Sequence, residues 1–299
     1  MTSDWIFQRT GILQRYVASP EQATSDLAVE AAKEAILSSG IPASQIDLVI
    51  VATSTPDTLV PSTACHVQYE LGATSAGAFD LGAACSGFIY GLATANGYIQ
   101  SGLASNVLLI AAETRTRFIN YNDLNTAVLY GDGAGAVILS QTDKFGTGLI
   151  QLTIGADGKG NDTISIPAGG SRLPASQQTV KKHLHCIHFK GTYFVKHVVR
   201  CITELIQGTL HQAGTTADEV DLIIPHQMNL RIIEIVAKKT GIPIEKFFVN
   251  IDKCGNTSAA SIPIALDEAL QQDRIRSGDV VLLVAFGAGF TWGSALIRW

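Results

Sequence analysis

The chain has 299 residues, of which 46% are hydrophobic and 16% are charged, which is enough for one large domain or two fused halves with an ample core. Its net charge of −5 argues against bulk nucleic-acid binding, so any anionic partner must be met by a local basic patch. The first residues do not resemble a signal peptide and no uncharged apolar run approaches the ~18–20 residues of a membrane span, which together indicate a cytoplasmic protein.

Apolar and turn-forming residues predict alternating helices and strands through the first half of the chain. In order, these are a helix over 26–39, a strand over 46–52, a helix over 61–71, a strand over 76–81 that leads into a long helix, a strand over 107–112, and a glycine-rich turn with its strand over 130–139. Continuous β-branched runs such as 46–52 are typical of strands buried in a parallel sheet. The pattern therefore indicates an α/β fold.

The second half of the chain repeats this order at a constant offset. The matched residues, each 174 positions apart, are Gly40 and Gly214, Asp47 and Asp221, and Val107 and Val281. A long internal repeat of alternating strands and helices implies two similar α/β halves packed together, which we place at residues 1–145 and 146–299.

The repeat also predicts that one strand is missing. Residues 149–154 look like the first strand of the second half, but the counterpart of Gln151 would fall near position −23 (151 − 174), before Met1. Either the first half lacks its first strand or the chain as given starts late.

Cys85 lies in the run Ala83-Ala84-Cys85-Ser86-Gly87, where a predicted strand leads into a buried helix. At a helix N-terminus, unpaired N–H groups and the positive end of the helix dipole favour the thiolate over the thiol. The small neighbours would let a substrate carbonyl reach the sulfur. A single cysteine is more often a small core residue, so this interpretation depends on partners elsewhere in the chain.

His226 and Asn256 are the candidate partners. His226 ends a predicted strand, and ligands bind at such strand ends in α/β sheets. Asn256 also joins a strand end to a helix start, roughly at the place that the Cys85 loop takes in the first half. Taken singly, His226 could be a structural histidine and Asn256 an ordinary turn residue. Pseudo-symmetry, however, brings all three side chains toward one point between the halves.

Six stretches carry a resemblance to a known family. They are Asp4-Trp5-Ile6 with Arg9-Thr10-Gly11-Ile12, Ala83-Ala84-Cys85-Ser86-Gly87, Gly131-Asp132-Gly133-Ala134-Gly135-Ala136, Pro225-His226-Gln227 with Asn229-Leu230-Arg231, Gly255-Asn256-Thr257-Ser258, and Ala285-Phe286-Gly287 with Gly289-Phe290-Thr291-Trp292-Gly293. In these stretches the chain resembles β-ketoacyl-[acyl carrier protein] synthase III, of the thiolase superfamily. The resemblance implies a thiolase-like α/β fold of two pseudo-symmetric halves, with mixed sheets and buried helices between the layers.

The resemblance also implies a reaction, the decarboxylative Claisen condensation of an acyl-coenzyme A primer with malonyl-acyl carrier protein, which initiates fatty-acid or polyketide synthesis. Cys85 would carry the acyl group as a thioester, and His226 and Asn256, as uncharged donors, would stabilise the enolate of the malonyl thioester. The backbone N–H groups of Cys85 and Ala288 would form the oxyanion hole. Coenzyme A thioesters enter as substrates, and neither a separate cofactor nor a metal is expected.

Binding residues follow from the same resemblance. Trp5, Arg9 and Asn229 match the family's coenzyme A contacts, although Trp5 could simply hold the N-terminal segment in place. The acidic acyl carrier protein would dock on a basic patch, for which the alternative is a solvated helix face. The residues of this patch are Lys196, Arg231, Lys238 and Lys239. The resemblance further implies a homodimer.

Two substitutions and the absent first strand depart from the family pattern. Leu124 stands where the family usually has an arginine near the adenine, so coenzyme A affinity is expected to be weaker or the donor different. Val60 stands where a bulky phenylalanine often limits the acyl pocket across the dimer interface. Its smaller side chain predicts a longer or branched primer.

Other patterns do not support a metal or phosphate site. The five cysteines are odd in number and include no CxxC pair, which argues against a disulfide framework or a four-cysteine zinc site. In His183-x-His185-Cys186-x-His188, strand alternation would point neighbouring ligands to opposite faces. The glycines of 131–135 lack the Lys-Ser/Thr ending of a phosphate loop and precede a strand.

Two alternative functions stay open from the sequence. One is acyl transfer to an oxygen or nitrogen acceptor in secondary metabolism, against which Asn256 argues because such transfer would prefer a His–carboxylate base. The other is a non-catalytic paralogue that binds a carrier protein. The missing first strand supports the hypothesis of a non-catalytic paralogue, whereas the presence of Cys85, His226 and Asn256 argues against it.

Overall fold

Strands and helices alternate along the chain, as the sequence pattern predicts. The computed structural model describes residues 2–144, 146–191 and 194–299. Met1 and Phe145, the first and last residues of the predicted first half, lie outside the described residues. The helices are α1 (Ser3–Thr10), α2 (Thr24–Ser39), α3 (Thr63–Glu70), α4 (Gly87–Gln100), α5 (Leu124–Ala127), α6 (Gln177–Lys181), α7 (Phe194–Ala213), α8 (Leu230–Thr240), α9 (Ile251–Cys254) and α10 (Ser261–Gln271). The strands are β1 (Leu48–Ala52), β2 (Gly77–Leu81), β3 (Asn106–Glu113), β4 (Gly133–Ser140), β5 (Gly148–Ala156), β6 (Ile164–Ser165), β7 (His188–Phe189), β8 (Leu222–Pro225), β9 (Val280–Gly287) and β10 (Thr291–Arg298).

Two four-stranded sheets carry the core, one from each predicted half. Their strand orders are β2-β1-β3-β4 and β5-β10-β9-β8. In the first sheet β1 runs parallel to β2 and β3 while β4 is antiparallel. In the second sheet β8 is parallel to β9, and β10 is antiparallel to both of its neighbours. The predicted α/β fold with mixed sheets is confirmed.

Helices α4 and α10 lie between the two sheets. Helix α4 packs on β1 and β3 of the first sheet and on β5 and β10 of the second, while α10 contacts β4 and β8. One apolar cluster runs through this middle layer and includes Ile50, Phe88 and Leu283. Helices α2 and α3 cover the outer face of the first sheet, and α7 and α8 that of the second. Helices thus cover both faces of the inner strands β1, β3, β8 and β9. This explains why these strands are continuous apolar runs in the sequence.

The offset of 174 residues persists in the structure. It relates the first residues of β1 and β8, of β3 and β9, and of α4 and α10. It also relates two short 3₁₀ turns, the Cys85 turn (Ala84–Ser86) and the Ser258 turn (Ser258–Ala260). Each turn begins with a non-glycine residue at positive φ, +47° for Ala84 and +53° for Ser258. A conformation this costly, on the order of 1–3 kcal/mol, recurs because the same packing imposes it in both halves.

The edges of the two sheets differ. In the second sheet the outer edge of β10 pairs with β5. At the equivalent edge of β4, the described residues provide no strand, and those before β1 form α1, α2 and a short 3₁₀ turn instead. The boundary that we place between residues 145 and 146 falls between β4 and β5 and stays a prediction. Among the helices that the structure describes, none combines the length and apolar character that a membrane crossing requires.

Candidate active site

Cys85 occupies the tight turn between β2 and α4 and is buried. Its Sγ lies 3.4 Å from the Ser258 Oγ, so the two symmetry-related turns meet at the sulfur. Burial raises the pKa of the Cys85 thiol, whereas the Arg115 charge and the Ser258 hydrogen bond lower it. Burial is the largest of these effects, so the pKa of the thiol lies above its ordinary value, opposite to the direction that the sequence pattern favours.

His226 follows β8 and is buried, with its backbone N–H donating to the Val284 carbonyl at 2.8 Å. Its Nδ1 lies 3.1 Å from the Ser261 Oγ, which accepts a hydrogen bond from the Thr257 hydroxyl at 3.2 Å. The Ser261 proton is therefore available to Nδ1, and this arrangement favours the tautomer with the ring proton on Nε2. That Nε2 has no partner among the described residues. Burial and the Arg115 charge lower the pKa of His226 to about 3, so the ring is neutral.

Asn256 is buried in the segment before the Ser258 turn. Its Oδ1 accepts from the Ser258 N–H at 2.9 Å, and its own N–H donates to the Leu129 carbonyl at 2.9 Å. The Gly131 N–H donates to the Asn256 carbonyl, and a Cβ at Gly131 would lie only 2.5 Å from the Cys254 carbonyl oxygen. The glycine-rich turn therefore holds Asn256 in place and leaves the Nδ2 amide as its group available to a ligand.

The three residues meet at one cavity of about 40 Å³ between the halves. Its other walls are Arg115, Leu129, Tyr130, Ile164, Phe189, Phe194, Met228, Phe286, Gly287 and Ala288. The structure thus brings Cys85, His226 and Asn256 together, as the repeat predicts. The cavity combines a sulfur nucleophile with two neutral hydrogen-bond donors and an apolar wall.

Residues 287–288 close the cavity against the Cys85 turn. A Cβ at Gly287 would lie 2.8 Å from the Cys85 nitrogen and 3.0 Å from that of Ser86, so only glycine allows this approach. The Thr291 hydroxyl fixes the strand connection through hydrogen bonds to the carbonyls of Ala83 and Ala288. Among the described residues, no backbone carbonyl accepts a hydrogen bond from the N–H of Cys85 or Ala288. Both groups are therefore available to a substrate oxygen.

Arg115 and Glu113 are buried charges at this site that the sequence analysis missed. Arg115 Nη1 donates to the Ser54 Oγ at 3.0 Å, and its guanidinium carbon lies 5.1 Å from the centre of the Tyr130 ring. The Glu113 carboxylate accepts from the Ser54 hydroxyl at 2.8 Å and from Thr55 at 2.9 Å. The repeat contained a signal for them, because residues 113–115 correspond to 287–289, and two of these, Gly287 and Ala288, line the same cavity from the other half.

The predicted coenzyme A residues gather where α1 packs on α8. The Arg9 guanidinium carbon lies 4.3 Å from the centre of the Trp5 ring, and Trp5 is 37% exposed. Asn229 caps α8 by accepting from the Arg231 N–H at 2.8 Å and donates to the Arg9 carbonyl at 3.2 Å. Asn229 therefore joins the two helices, which is a structural task in addition to the predicted one.

The predicted docking residues lie on α7 and α8. Arg231 donates to the Gln8 carbonyl and pairs with Glu234 at 2.8 Å, so part of its charge is already balanced. Lys238 and Lys239 lie in the last turn of α8. Lys239 and Lys196 line a surface groove of about 790 Å³ between α7 and α8.

The remaining predicted positions are on the surface. Val60 is 85% and Leu124 is 55% exposed, and neither lines the cavity that contains Cys85. In residues 2–144, 146–191 and 194–299, no group of three or more His, Cys, Asp or Glu side chains is arranged to hold a metal ion.

Two family models match the chain. The model of 3-oxoacyl-[acyl-carrier-protein (ACP)] synthase III matches residues 79–158, and the model of the C-terminal part of this synthase matches residues 210–299. The first match contains the Cys85 turn, and the second contains both His226 and Asn256.

Similar proteins cover the whole chain. The β-ketoacyl-[acyl-carrier-protein] synthase III of Caldanaerobacter subterraneus subsp. tengcongensis is 49% identical over 299 residues, which are 100% of this chain and 90% of that protein. The protein of the same name from Roseiflexus sp. is 50% identical, with 100% and 91% covered. The crystal structure of 3-oxoacyl-[acyl-carrier-protein] synthase III from Aquifex aeolicus VF5 superimposes with a TM-score of 0.91 at 42% identity, covering 100% of this chain and 92% of that one.

Proposed function

The chain belongs to the β-ketoacyl-[acyl-carrier-protein] synthase III family, and we propose that Cys85, His226 and Asn256 are the residues that carry out this family's reaction. The enzyme is an acyl-transferring condensing enzyme, which joins an acyl-coenzyme A primer to malonyl-acyl carrier protein and so initiates fatty-acid synthesis. The predicted family, enzyme class and reaction are confirmed. The observation that carries the residue assignment is the single cavity that the three side chains share.

In the first step Cys85 takes the acyl group from coenzyme A. The sulfur forms a bond to the acyl carbonyl carbon, the bond from that carbon to the coenzyme A sulfur breaks, and coenzyme A leaves as the thiol with the proton that Cys85 gave up. The free N–H groups of Cys85 and Ala288 are available to bind the carbonyl oxygen as it becomes negative. One such donor is typically worth ~3–4 kcal/mol in the transition state.

In the second step the malonyl thioester loses carbon dioxide, and the carbon of the resulting enolate forms a bond to the acyl carbonyl carbon on Cys85. The bond from that carbon to the Cys85 sulfur breaks, so the β-ketoacyl product leaves on the carrier protein and Cys85 takes up a proton as the free thiol. The His226 Nε2–H and the Asn256 Nδ2–H would donate to the enolate oxygen. Both groups are uncharged. The Asn256 amide does not ionise, and burial and the Arg115 charge lower the pKa of His226 to about 3. The partner of Nδ1 is the hydroxyl of Ser261 and not a carboxylate, which favours condensation over acyl transfer to an alcohol or amine.

Coenzyme A would approach across the surface formed by α1 and α8. Exposed Trp5 offers an aromatic face for the adenine, and Arg9 beside it offers a cation for phosphate. Leu124 begins α5 and carries no charge, so the expectation of a weaker or different donor stands as a prediction.

The acyl carrier protein would dock on the basic side chains of α7 and α8. The net charge of the chain is −5, so an acidic partner needs such a local patch. Lys196 and Lys239 are the stronger candidates because they line one groove, whereas Arg231 already pairs with Glu234. Lys238 would add charge at the same end of α8.

A homodimer, a cytoplasmic location and the lack of any cofactor complete the proposal. The dimer is supported by β2, which lies at the edge of its sheet, and by a neighbouring group of apolar side chains that are largely exposed. These are Leu59, Val60 and Tyr69, at 82%, 85% and 78% exposure. Contact between copies at this surface would put Val60 near the partner's acyl pocket.

Intact-mass spectrometry tests the central assignment. The purified protein is incubated with acetyl-coenzyme A, and we expect a mass increase of one acetyl group that Cys85→Ser abolishes. Cys65→Ser, which changes an exposed cysteine, is the matched control and should still be acylated. Adding malonyl-acyl carrier protein should then discharge the acyl group as a β-ketoacyl product. Acylation that persists in Cys85→Ser would refute the assignment of Cys85.

A further inference from the structure

Arg115 is the only buried lysine or arginine among the described residues, with 5% of its surface exposed. Such side chains are almost never fully buried unless they are paired. The nearest acid in sequence, Glu113, forms no ion pair with it within the described chain. The carboxylate of Glu113 is instead engaged by Ser54 and Thr55. The Arg115 charge is therefore balanced only at longer range.

The hydrogen bonds of the guanidinium are also incomplete. Nη1 donates to Ser54, while the buried Nε–H has no acceptor in the part of the chain that the structure describes. Leaving a buried donor unpaired is unfavourable, and this donor belongs to a side chain that lines the cavity of Cys85. The Tyr130 ring centre lies 5.1 Å from the guanidinium carbon, and the Tyr130 hydroxyl adds a hydrogen bond to the cation, but the Nε–H is still left without an acceptor among the described residues.

The other groups around Arg115 do not explain its free donor. Its positive charge faces Cys85, where it lowers the pKa of the thiol, and His226, which it helps to keep neutral. Both effects need only a charge nearby. A guanidinium on the wall of the cavity can also donate a directional hydrogen bond to an oxygen atom of a ligand.

We propose that Arg115 binds an oxygen acceptor at the far end of the acyl group on Cys85, so that the preferred primer is a short acyl thioester with a terminal carboxylate or hydroxyl. This inference rests on the proposed function, because the acyl group in question is the one that Cys85 carries. The cavity of about 40 Å³ has room for roughly three water-sized groups, which restricts the chain to a few atoms. Aromatic and aliphatic side chains line most of the rest of it, and Arg115 is the only lysine, arginine, aspartate or glutamate among the described residues of its wall.

Three donors of equal carbon number test the proposal: succinyl-coenzyme A, 4-hydroxybutyryl-coenzyme A and butyryl-coenzyme A. The rate of Cys85 acylation by each is followed by intact-mass spectrometry without the malonyl substrate. We expect at least one oxygenated donor to react about 10-fold or more faster than butyryl-coenzyme A, because a site built to bind oxygen discriminates against an analogue that lacks it. The ratio of the two oxygenated donors then shows whether charge matters.

Arg115→Leu should remove this preference and make butyryl-coenzyme A the best of the three donors. Butyryl-coenzyme A reacting as fast as both oxygenated donors in the unaltered enzyme would overturn the proposal, and this comparison needs no variant. Equal slowing of all three donors by Arg115→Leu would also overturn it, since Arg115 would then act only on the Cys85 thiol. If no donor, acetyl-coenzyme A included, acylates Cys85, the proposed function fails and the inference fails with it.

Discussion

The two halves of the molecule bring equivalent turns and strand ends to the seam between them but equip these positions with different side chains. At the offset of 174 residues, Cys85 corresponds to Ala259, His226 to Ala52, Asn256 to Gly82, and Glu113 to Gly287. In every pair one half carries a functional group and the other carries alanine or glycine. In the mechanism that we propose, the first half supplies the nucleophile, and the second supplies the neutral donors for the enolate.

Space at the seam explains this division. A Cβ at Gly87, just after the Cys85 turn, would lie 3.2 Å from the Cβ of Ala52 and 3.3 Å from that of Ala259. Because the pseudo-symmetry brings both members of a pair toward the same seam, larger side chains on both sides would clash. One repeated backbone can thus form one asymmetric active site. Variants that change one of these side chains at a time test how the functional groups are divided between the halves.

Asn256→Asp is expected to have the largest effect on turnover. Aspartate can keep the hydrogen bond from the Ser258 N–H through Oδ1, so the turn should stay intact. A carboxylate beside the forming enolate replaces a donor with a negative charge, which should lower the condensation rate by ~10²–10³-fold. The product is measured with malonyl-acyl carrier protein, and Cys85 acylation serves as the internal control. Loss of both steps together would contradict a role confined to the enolate.

His226→Gln should change how stability depends on pH. The pKa of His226 lies at about 3 in the folded protein against an ordinary value of 6.5, so the unfolded chain binds the proton more readily between these values. The folded state therefore loses stability as the pH falls from 6.5 toward 3, by a few kcal/mol at ~1.4 kcal/mol per pKa unit.

Chemical denaturation at pH 7 and pH 4 measures this dependence. The difference between the two unfolding free energies should shrink in His226→Gln, whatever the variant costs at neutral pH. His66→Gln, at an exposed histidine, is the matched control. An unchanged pH difference in His226→Gln would show that the buried ring does not titrate as the structure indicates.

Much of the fold could be predicted because it follows from apolar runs and from the repeat. The helix predicted over 26–39 is Thr24–Ser39, and the strand predicted over 149–154 is Gly148–Ala156. Helix α1 was not predicted, because eight residues with few apolar positions give no clear period. Its end signals were nevertheless present: the Thr2 hydroxyl accepts from the Trp5 N–H, and Gly11 ends the helix at φ +81°.

The site was less accessible from the sequence than the fold. The repeat was enough to bring Cys85, His226 and Asn256 together, because equivalent loops meet at a pseudo-dyad. It could not give the contact between Arg115 and Ser54, which are 61 positions apart and meet through the packing of β3 beside β1. Nor could it give the balance at Cys85, where burial raises the pKa more than the surrounding groups lower it.

Gly287→Ala introduces a side chain into the half that has none at this position. Its Cβ would meet backbone nitrogens of the Cys85 turn at 2.8 and 3.0 Å, so the turn must shift. We expect a loss of ~1–3 kcal/mol in unfolding free energy, together with slower acylation of Cys85. Gly97→Ala, at an exposed position of α4 with nothing within 4 Å, is the matched control and should stabilise slightly. Equal stability of the two variants would contradict the close approach of the two halves.

Ser258→Ala removes the contact that the second half makes with the nucleophile of the first, and we expect the smallest effect from it. The backbone should hold, because the Ser258 N–H still donates to Asn256. The hydroxyl 3.4 Å from the sulfur lowers the pKa of Cys85, so its loss should raise that pKa. Alkylation by iodoacetamide measures the thiolate fraction of Cys85. The pH profile of the alkylation rate should move to higher pH, and the rate at neutral pH should fall a few-fold, as loss of one weak hydrogen bond implies.

Ser86→Ala is the matched control, because it removes a hydroxyl of the same turn that donates to the Thr291 carbonyl. The same shift in both variants would mean that the turn as a whole, and not the Ser258 hydroxyl, sets the reactivity of Cys85.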